Sequence, residues 1–441
     1  MKVELLTFEI GSTTTKVRAF DHIDSEPAYL GIGQAPTTVS EGDVSIGMTR
    51  ARETLAHHLG VSSIESESSL AASSAAGGLK MTVHGLTEDM TVRAAREASL
   101  GAGAVLYHYT VGEISAHDMK TMSGICPNII FLAGGVDHGE RDRVLAMAQV
   151  LAHSTIVCPV IYAGNCALAA EIKDIFSGEN KELHVTENVY PRVDHLNMRP
   201  ARNLIQQVFS RHILHAPGME KISSMISDKI LPVPGTVLSG LEMLTERLGD
   251  AVAIDIGGAT TDIHSVTDGS PLFAPLMVEP EPRVKRTVEG DLGVFVNASA
   301  VMESSGDPWI EENMRHLSPM PQTAESIALS EQLAYYCLYW GLMRHAGEVS
   351  DYYGPTGKKQ IVRGKDLTAV KAVIGTGGAL TQLPFGEKLL RRVLIKNPVK
   401  KLLPLDTAEI IIDKDYLLGT IGLISHWNPE TAFKLAKKYF S

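Results

Sequence analysis

Leu5-Leu6-Thr7-Phe8-Glu9-Ile10-Gly11-Ser12-Thr13-Thr14-Thr15-Lys16-Val17-Arg18-Ala19-Phe20 is the stretch on which the reading of this chain turns. An apolar run ends in an acid, a glycine precedes four hydroxyl residues and a lysine, and a second strand-like run follows. This is the pattern of a hairpin whose turn holds an anion. At Gly11 the missing Cβ opens a backbone path along which successive N–H groups point into one concavity. The hydroxyls of Ser12 to Thr15 add donors, and Lys16 adds charge. An ordinary polar hairpin turn accounts for the same residues taken alone.

The pattern returns at Ala251-Val252-Ala253-Ile254-Asp255-Ile256-Gly257-Gly258-Ala259-Thr260-Thr261-Asp262-Ile263-His264-Ser265-Val266. With Asp255 laid on Glu9, an offset of 246 residues, Gly257 meets Gly11 and Thr260-Thr261 meets Thr14-Thr15. Two such hairpins in one chain suggest two related halves facing one phosphate chain. A second pair of features points the same way. Ile129-Ile130-Phe131-Leu132-Ala133-Gly134-Gly135 and Val373-Ile374-Gly375-Thr376-Gly377-Gly378-Ala379 are apolar runs ending in Gly-Gly. Gly134 follows Gly11 by 123 residues, and Gly377 follows Gly257 by 120. The expectation is one duplicated unit: phosphate hairpin, intervening elements, strand, Gly-Gly turn, helix.

Two hairpins with a late Gly-Gly turn resemble the actin-like ATPase superfamily, which includes sugar kinases, large heat-shock chaperones and actin. Within it, Glu9 to Lys16, Ala72-Ser73-Ser74-Ala75-Ala76-Gly77-Gly78-Leu79-Lys80, Leu132-Ala133-Gly134-Gly135 and Thr287-Val288-Glu289-Gly290-Asp291-Leu292-Gly293 together resemble the glutamate mutase-associated MutL family. The similarity runs over nearly the full chain. It implies an α/β protein of the actin-like ATPase fold, with two duplicated RNase H-like lobes and a nucleotide cleft between them. The lobes are expected over residues 1–250, with insertions, and 251–441, and the last helix is a candidate to return to the first lobe.

The resemblance further implies ATP and Mg²⁺. Gly11, Ser12, Thr13, Thr14 and Lys16 would contact phosphates from the first hairpin, and Gly257, Gly258, Thr260, Thr261 and Asp262 from the second. Glu9 and Asp255 would be the catalytic carboxylates and would hold Mg²⁺ mostly through water, since Mg²⁺ gives up its hydration reluctantly. Gly290 and Asp291 fall near the ribose, and Gly375, Gly377, Gly378 and Ala379 match the adenosine motif. Turn capping is the plainer role for Asp255 and Asp262. At Glu9 the superfamily usually has Asp; the extra methylene shifts the carboxylate by about an ångström, enough to slow a reaction substantially.

Composition narrows the classes. A chain of 441 residues with 44% apolar content can bury a core in each of two lobes. The formal charge is −11, and no Lys/Arg cluster reads as a nucleic-acid footprint. Cys126, Cys158, Cys166 and Cys337 form no C-x-x-C pair and are expected as small core residues of a reduced, cytosolic protein. No apolar stretch reads as a cleavable signal or a membrane span. His212 and His215 could share a helix face, but no carboxylate neighbour suggests a metal site.

Coarse patterning predicts strands at Ala28–Ile32, Ser68–Ala76, Asn128–Leu132, Ile156–Ala163, Ala251–Ile256, Ala369–Ile374 and Glu409–Ile412. Helices are predicted at Gly47–Leu59, Thr91–Leu106, Arg141–His153, Cys166–Phe176, Ser326–His345 and Tyr416–Ser425, over Arg199–Ile230, and from Leu292 onward. Tyr335, Tyr336, Tyr339 and Trp340 make an aromatic stripe of the core or interface type.

The family's association implies a nucleotide-driven chaperone or reactivating factor for an adenosylcobalamin-dependent mutase, glutamate mutase or a related aminomutase. The chain has no D-x-H-x-x-G cobalamin signature, since Asp137-His138-Gly139 lacks the spacing, so it would act on such an enzyme. A small-molecule kinase of the same fold needs an acidic base that the sequence does not identify. A dehydratase activator needs a cysteine-bound iron–sulfur cluster, which the scattered cysteines do not support. A partner that binds nucleotide without hydrolysing it stays open because of Glu9.

Overall fold

A computed structural model of the chain describes every residue except 12–13, 39–42, 75–78, 180, 213–221, 223–224, 228–229, 355–356, 396–399 and 441, with the side chains of 209–212 also outside it. The expectations at Ser12, Thr13, Gly77, Gly78 and His215, and at the His212 side chain, therefore lie outside the described residues. The chain divides into two compact units, Met1–Thr236 and Val237–Ser441.

In the first unit β1 (Lys2–Ile10), β2 (Thr14–Asp21) and β3 (Ala28–Pro36) form an antiparallel meander. Helix α1 (Val44–His58) starts where the Asp43 carboxylate accepts the Ser45 N–H, and it leads to β4 (Glu65–Ser73), parallel to β1. There follow β5 (Leu79–Gly85), α2 (Arg93–Gly101), β6 (Ala104–Val111), α3 (Ala116–Ile125), β7 (Ile129–Leu132), α4 (Asp142–Ala152), β8 (Val160–Tyr162), α5 (Ala169–Phe176) and β9 (Leu183–Val185). These five strands make a separate, wholly parallel sheet of order β6-β5-β7-β8-β9, a doubly wound arrangement. Helix α6 (Arg199–His212) comes next. The chain then returns to the first sheet as β10 (Ile230–Pro232), parallel to β4, and continues into α7 (Val233–Leu248).

The second unit repeats the first sheet. Strands β11 (Ala251–Ile256), β12 (Thr261–Val266) and β13 (Val284–Glu289) form an antiparallel meander. Then come α8 (Ala298–Ser305), α9 (Pro308–Asn313), α10 (Ala324–His345) and a two-stranded hairpin, β14 (Glu348–Gly354) with β15 (Gly357–Arg363). Strand β16 (Ala372–Thr376) lies parallel to β11. After α11 (Gly378–Thr381) and α12 (Gly386–Ile395), β17 (Glu409–Ile412) lies parallel to β16. Helices α13 (Leu417–Ser425) and α14 (Pro429–Tyr439) close the chain.

The orders β3-β2-β1-β4-β10 and β13-β12-β11-β16-β17 are the same path: three antiparallel strands, then two parallel ones. This duplicated sheet is the arrangement expected of the actin-like fold. One face of the second sheet, with Val252, Ile254, Ile256, Ile263 and Val373, packs on Leu329, Leu333, Leu338 and Leu342 of α10. Each such buried aliphatic side chain contributes about 1.5–3 kcal/mol. The stripe Tyr335, Tyr336, Tyr339 and Trp340 lies half-buried against that core, as expected.

The topology corrects several expectations. Strand β7 stands in the parallel sheet, so Gly134-Gly135 is not the twin of Gly377-Gly378; the strand matching β16 is β4. The helix expected over Thr91–Leu106 stops at Gly101, and Ala104 opens a strand. Gly103 turns the chain there at φ +98°, where a Cβ would lie 2.7 Å from that of Pro232. Helix is absent at Leu292 and begins at Ala298. The strand expected over Ile156–Ala163 is confined to Val160–Tyr162, and Ile230 belongs to a strand. Of the cysteines, all free, Cys158 and Cys337 are buried, but Cys126 and Cys166 are exposed. Among the described residues no helix is long and apolar enough to cross a membrane.

Candidate functional site

The two hairpins agree in register and in turn. Glu9 faces Lys16 and Ile10 faces Thr15; Asp255 faces Asp262 and Ile256 faces Thr261. The Gly11 N–H donates to the Thr14 carbonyl at 3.0 Å, and the Gly257 N–H to the Thr260 carbonyl at 2.9 Å. At Gly11 a Cβ would lie 2.7 Å from that Thr14 oxygen, which is why the position is glycine. The offset of 246 residues read from the sequence is therefore a structural correspondence, down to the hydrogen bond that closes each turn.

The charges on the two hairpins differ. In the first, Lys16 Nζ donates to Glu9 Oε1 at 2.8 Å and Arg18 donates to Oε2 at 3.1 Å. Glu9 is one-fifth exposed, while the Arg18 side chain is fully buried. Burial would raise the Glu9 carboxyl, but Lys16 and Arg18 outweigh it and hold the group at about 2. Lys16, expected on phosphate, here lies on Glu9. The Thr15 hydroxyl shares a hydrogen bond with Thr37 at 2.9 Å and is buried.

In the second hairpin Asp262 Oδ1 accepts from Arg286 Nε at 3.0 Å and from its terminal nitrogen at 2.6 Å, with the Arg286 side chain almost wholly buried. Thr260 donates to Asp262 Oδ2 at 3.3 Å, and the buried Thr261 hydroxyl donates to the Leu292 carbonyl at 2.8 Å. Asp255 is half-buried at the end of β11. Gly377, at φ +81°, lies against it: a Cβ there would be 2.3 Å from Asp255 Oδ1. The structure thus brings Asp255, the Gly257–Thr260 turn and Gly377 together within one unit.

The remaining expected residues are distributed as follows. Gly375 lies inside β16, where a Cβ would press on Leu390 and Ile412; at Gly378 a Cβ would make ordinary contact with the Tyr416 hydroxyl at 3.9 Å, and Ala379 is buried. Gly290 also faces open space, and Asp291 forms a two-pronged pair with Arg344 at 2.6 and 2.8 Å. Arg344 reaches Glu289 as well, at 2.8 Å. The hydrogen bond from Arg344 holds Asp291 below its usual range, whereas burial pushes Glu289 up against the pull of the same arginine.

Sequence reasoning did not find Arg18, Arg286, Arg344 or Asp413. Asp413 accepts from Leu417 N at 2.7 Å, Leu418 N at 3.1 Å and Thr376 Oγ1 at 3.1 Å, joining the end of β16 to the start of α13. A signal was present for Arg18 and Arg286. Each is a long cation in a strand beside the acid-bearing hairpin, and a cation in that place needs a carboxylate partner.

A family model described as "MutL protein" matches residues 5–440. The chain belongs to the MutL protein family. A curated member of this family, Protein MutL from Clostridium tetanomorphum, is 34% identical over 457 residues, covering 98% of each chain. Solved structures with remote likeness to this MutL-family chain include a nucleotide-free acetone carboxylase, 13% identical with a TM-score of 0.41, covering 96% of this chain and 70% of that one. A xylulose kinase from Lactobacillus acidophilus is 11% identical with a TM-score of 0.36, over 100% and 92%. A glycerol dehydratase reactivase is 9% identical with a TM-score of 0.32, over 96% and 100%.

Proposed function

We propose that this chain binds a Mg-nucleotide through the Gly257–Thr260 turn and, in response to it, acts on an adenosylcobalamin-dependent mutase as a chaperone or reactivating factor. The observation that carries the nucleotide half is the pair of hairpins with one register and one turn hydrogen bond. A turn whose consecutive amides face one way suits the phosphates of a nucleotide. The mutase half rests on membership of the MutL family and on the resemblance of the sequence motifs to the glutamate mutase-associated MutL family.

Asp255 fits Mg²⁺, which is usually held by one or two carboxylates and the phosphates themselves. It stands at a strand end, against a glycine that leaves its carboxylate uncrowded by any side chain at that position. The metal would supply charge neutralisation at the phosphates. Glu9 is surrounded by two cations, an arrangement that repels a third, so we assign it to holding Lys16 and Arg18 and give the metal role to Asp255 alone. In the same reading Gly377, Gly378 and Ala379 accommodate the nucleoside and Gly290 and Asp291 adjoin its ribose, while Lys16 stays on Glu9. Hydrolysis of ATP is the turnover this arrangement would support. The engagement of both Glu9 oxygens favours a second reading, a nucleotide-sensing partner with little turnover.

The test combines calorimetry with capture from native lysate. Mg-ATP is expected to bind with a stoichiometry near one, and Asp255→Ala to weaken Mg-dependent binding at least ten-fold. Capture with and without ATP is expected to recover a cobalamin mutase subunit in a nucleotide-dependent way. Recovery that ignores nucleotide, or phosphorylation of a small molecule instead, would sink the chaperone reading.

A further inference from the structure

The segment after β13 closes over the Gly257–Thr260 turn from one side. Val294 N donates to the Gly257 carbonyl at 3.2 Å, and Phe295 N and Val296 N donate to the Gly258 carbonyl at 2.9 and 2.7 Å. The third carbonyl of the turn, on Ala259, accepts from Asn297 Nδ2 at 2.7 Å. The same nitrogen donates to the Gly290 carbonyl at 2.9 Å. Both partners are carbonyl oxygens, so the amide nitrogen of Asn297, not its oxygen, faces them. Gly293 makes the approach possible: a Cβ there would lie 2.4 Å from the Ala259 oxygen.

The consequence follows from peptide geometry. In a planar trans peptide the C=O of one residue and the N–H of the next point in opposite directions. With the carbonyls of Gly257, Gly258 and Ala259 all drawn to one side, the N–H groups of Gly258, Ala259 and Thr260 are turned to the other. Three consecutive amides aimed one way form an anion-binding concavity. Asn297 stands at the N-cap of α8, where asparagine ordinarily accepts from the first-turn amides of its own helix. It makes no such bond here. Its side chain is given to the turn.

We propose that Asn297 is the positioning residue for phosphate recognition in this protein. It sets the Ala259–Thr260 peptide so that the Thr260 N–H joins those of Gly258 and Ala259, and it holds the turn and the Gly290–Asp291 corner as one piece. The proposal rests on the nucleotide reading above, and the partner it serves is the phosphate end of a nucleoside diphosphate or triphosphate.

The test uses the full chain as wild type, Asn297→Ala and Asn297→Asp, with Mg-ADP as the probe in calorimetry. Hydrogen exchange of the peptide spanning residues 256–261 is measured without nucleotide. Asn297→Ala is expected to weaken Mg-ADP at least ten-fold and to speed exchange in that peptide several-fold, leaving β16 unchanged. Asn297→Asp, which sets a carboxylate against two carbonyls, is expected to do more of both. ADP affinity within two-fold of wild type, with exchange unchanged, would overturn the proposal. A uniform rise in exchange across the second unit would also overturn it, by showing general destabilisation. If the wild type takes up no ADP, the nucleotide reading falls, whereas the exchange measurement still decides whether Asn297 orders the turn.

Discussion

Glu9 and Asp255 occupy the same register position in two copies of one hairpin, yet their neighbours give them different tasks. Glu9 faces two cations, and its folded-state value of about 2 lies below the ordinary 4.5. A depressed carboxylate contributes stability that is present above the unfolded value and is lost as pH falls through the folded one. The contribution of this group is therefore expected in full above pH 4.5 and to vanish toward pH 2. Glu9→Gln leaves Lys16 and the buried Arg18 without their anion, at a cost of about 3 kcal/mol. Urea unfolding at pH 7 should show that loss, and the gap between variant and wild type should narrow as the pH is lowered below 4.5. An equal gap at both ends would mean that the Glu9 charge is not what holds the hairpin.

At the scale of elements, the second unit depends on joints that strand and helix patterns do not reveal. Asp413 is buried and ties β16 to α13 by accepting two helix amides and the Thr376 hydroxyl. Asp413→Ala would leave buried donors unsatisfied, at about 1–3 kcal/mol. Gly377 begins the turn into α11 at φ +81°, with no room for a Cβ beside Asp255. Gly377→Ala should combine backbone strain with that overlap and lower stability by more than about 1 kcal/mol. Thermal melts check both, and they are expected to separate in one respect. Gly377→Ala should weaken Mg-nucleotide binding beyond its effect on stability, while Asp413→Ala should act through stability alone. The reverse ranking would remove Gly377 from the site.

At the scale of the whole molecule, His84, His264 and His345 are buried among the described residues and bear on the acid stability of the fold. His84 lies in the parallel sheet, bonded to Thr110 and Thr82, and burial lowers it to about 3. His264 and His345 are buried in the second unit, and burial lowers both well below 6.5. A histidine kept neutral in the fold is protonated first in the unfolded chain, so stability falls as pH drops below about 6.5. Each such group contributes a slope of about 1.4 kcal/mol per pH unit. The window from pH 6.5 to 5 lies above the carboxylate range and isolates this effect. Denaturant unfolding there should steepen with acidity, and the second unit, with two of the three groups, should give way first. A flat profile over that window would contradict the buried, neutral state of these residues.

Much of this was legible in the one-dimensional pattern, because local chemistry writes itself into local sequence. A strand, an acid, a glycine and threonines at a fixed spacing specify a hairpin turn wherever they occur, and the second copy confirmed the first. The spacing of Gly134 and Gly377 misled, because equal distances along a chain say nothing about which sheet a strand joins. Strand partners are chosen by long-range packing, and β7 went to the parallel sheet while β4 took the place beside β1. The helix expected at Leu292 failed for a related reason. The amides of Val294, Phe295 and Val296 found carbonyls on the turn at Gly257–Gly258 before they could enter a helix. What the sequence determined was which segments form the two matching hairpin turns. Which charges surround Glu9, which arginine answers Asp262, and that Asn297 turns from its own helix to the Gly257–Thr260 turn were decided only when distant strands came together, since a hydrogen bond has no preference for partners near in sequence.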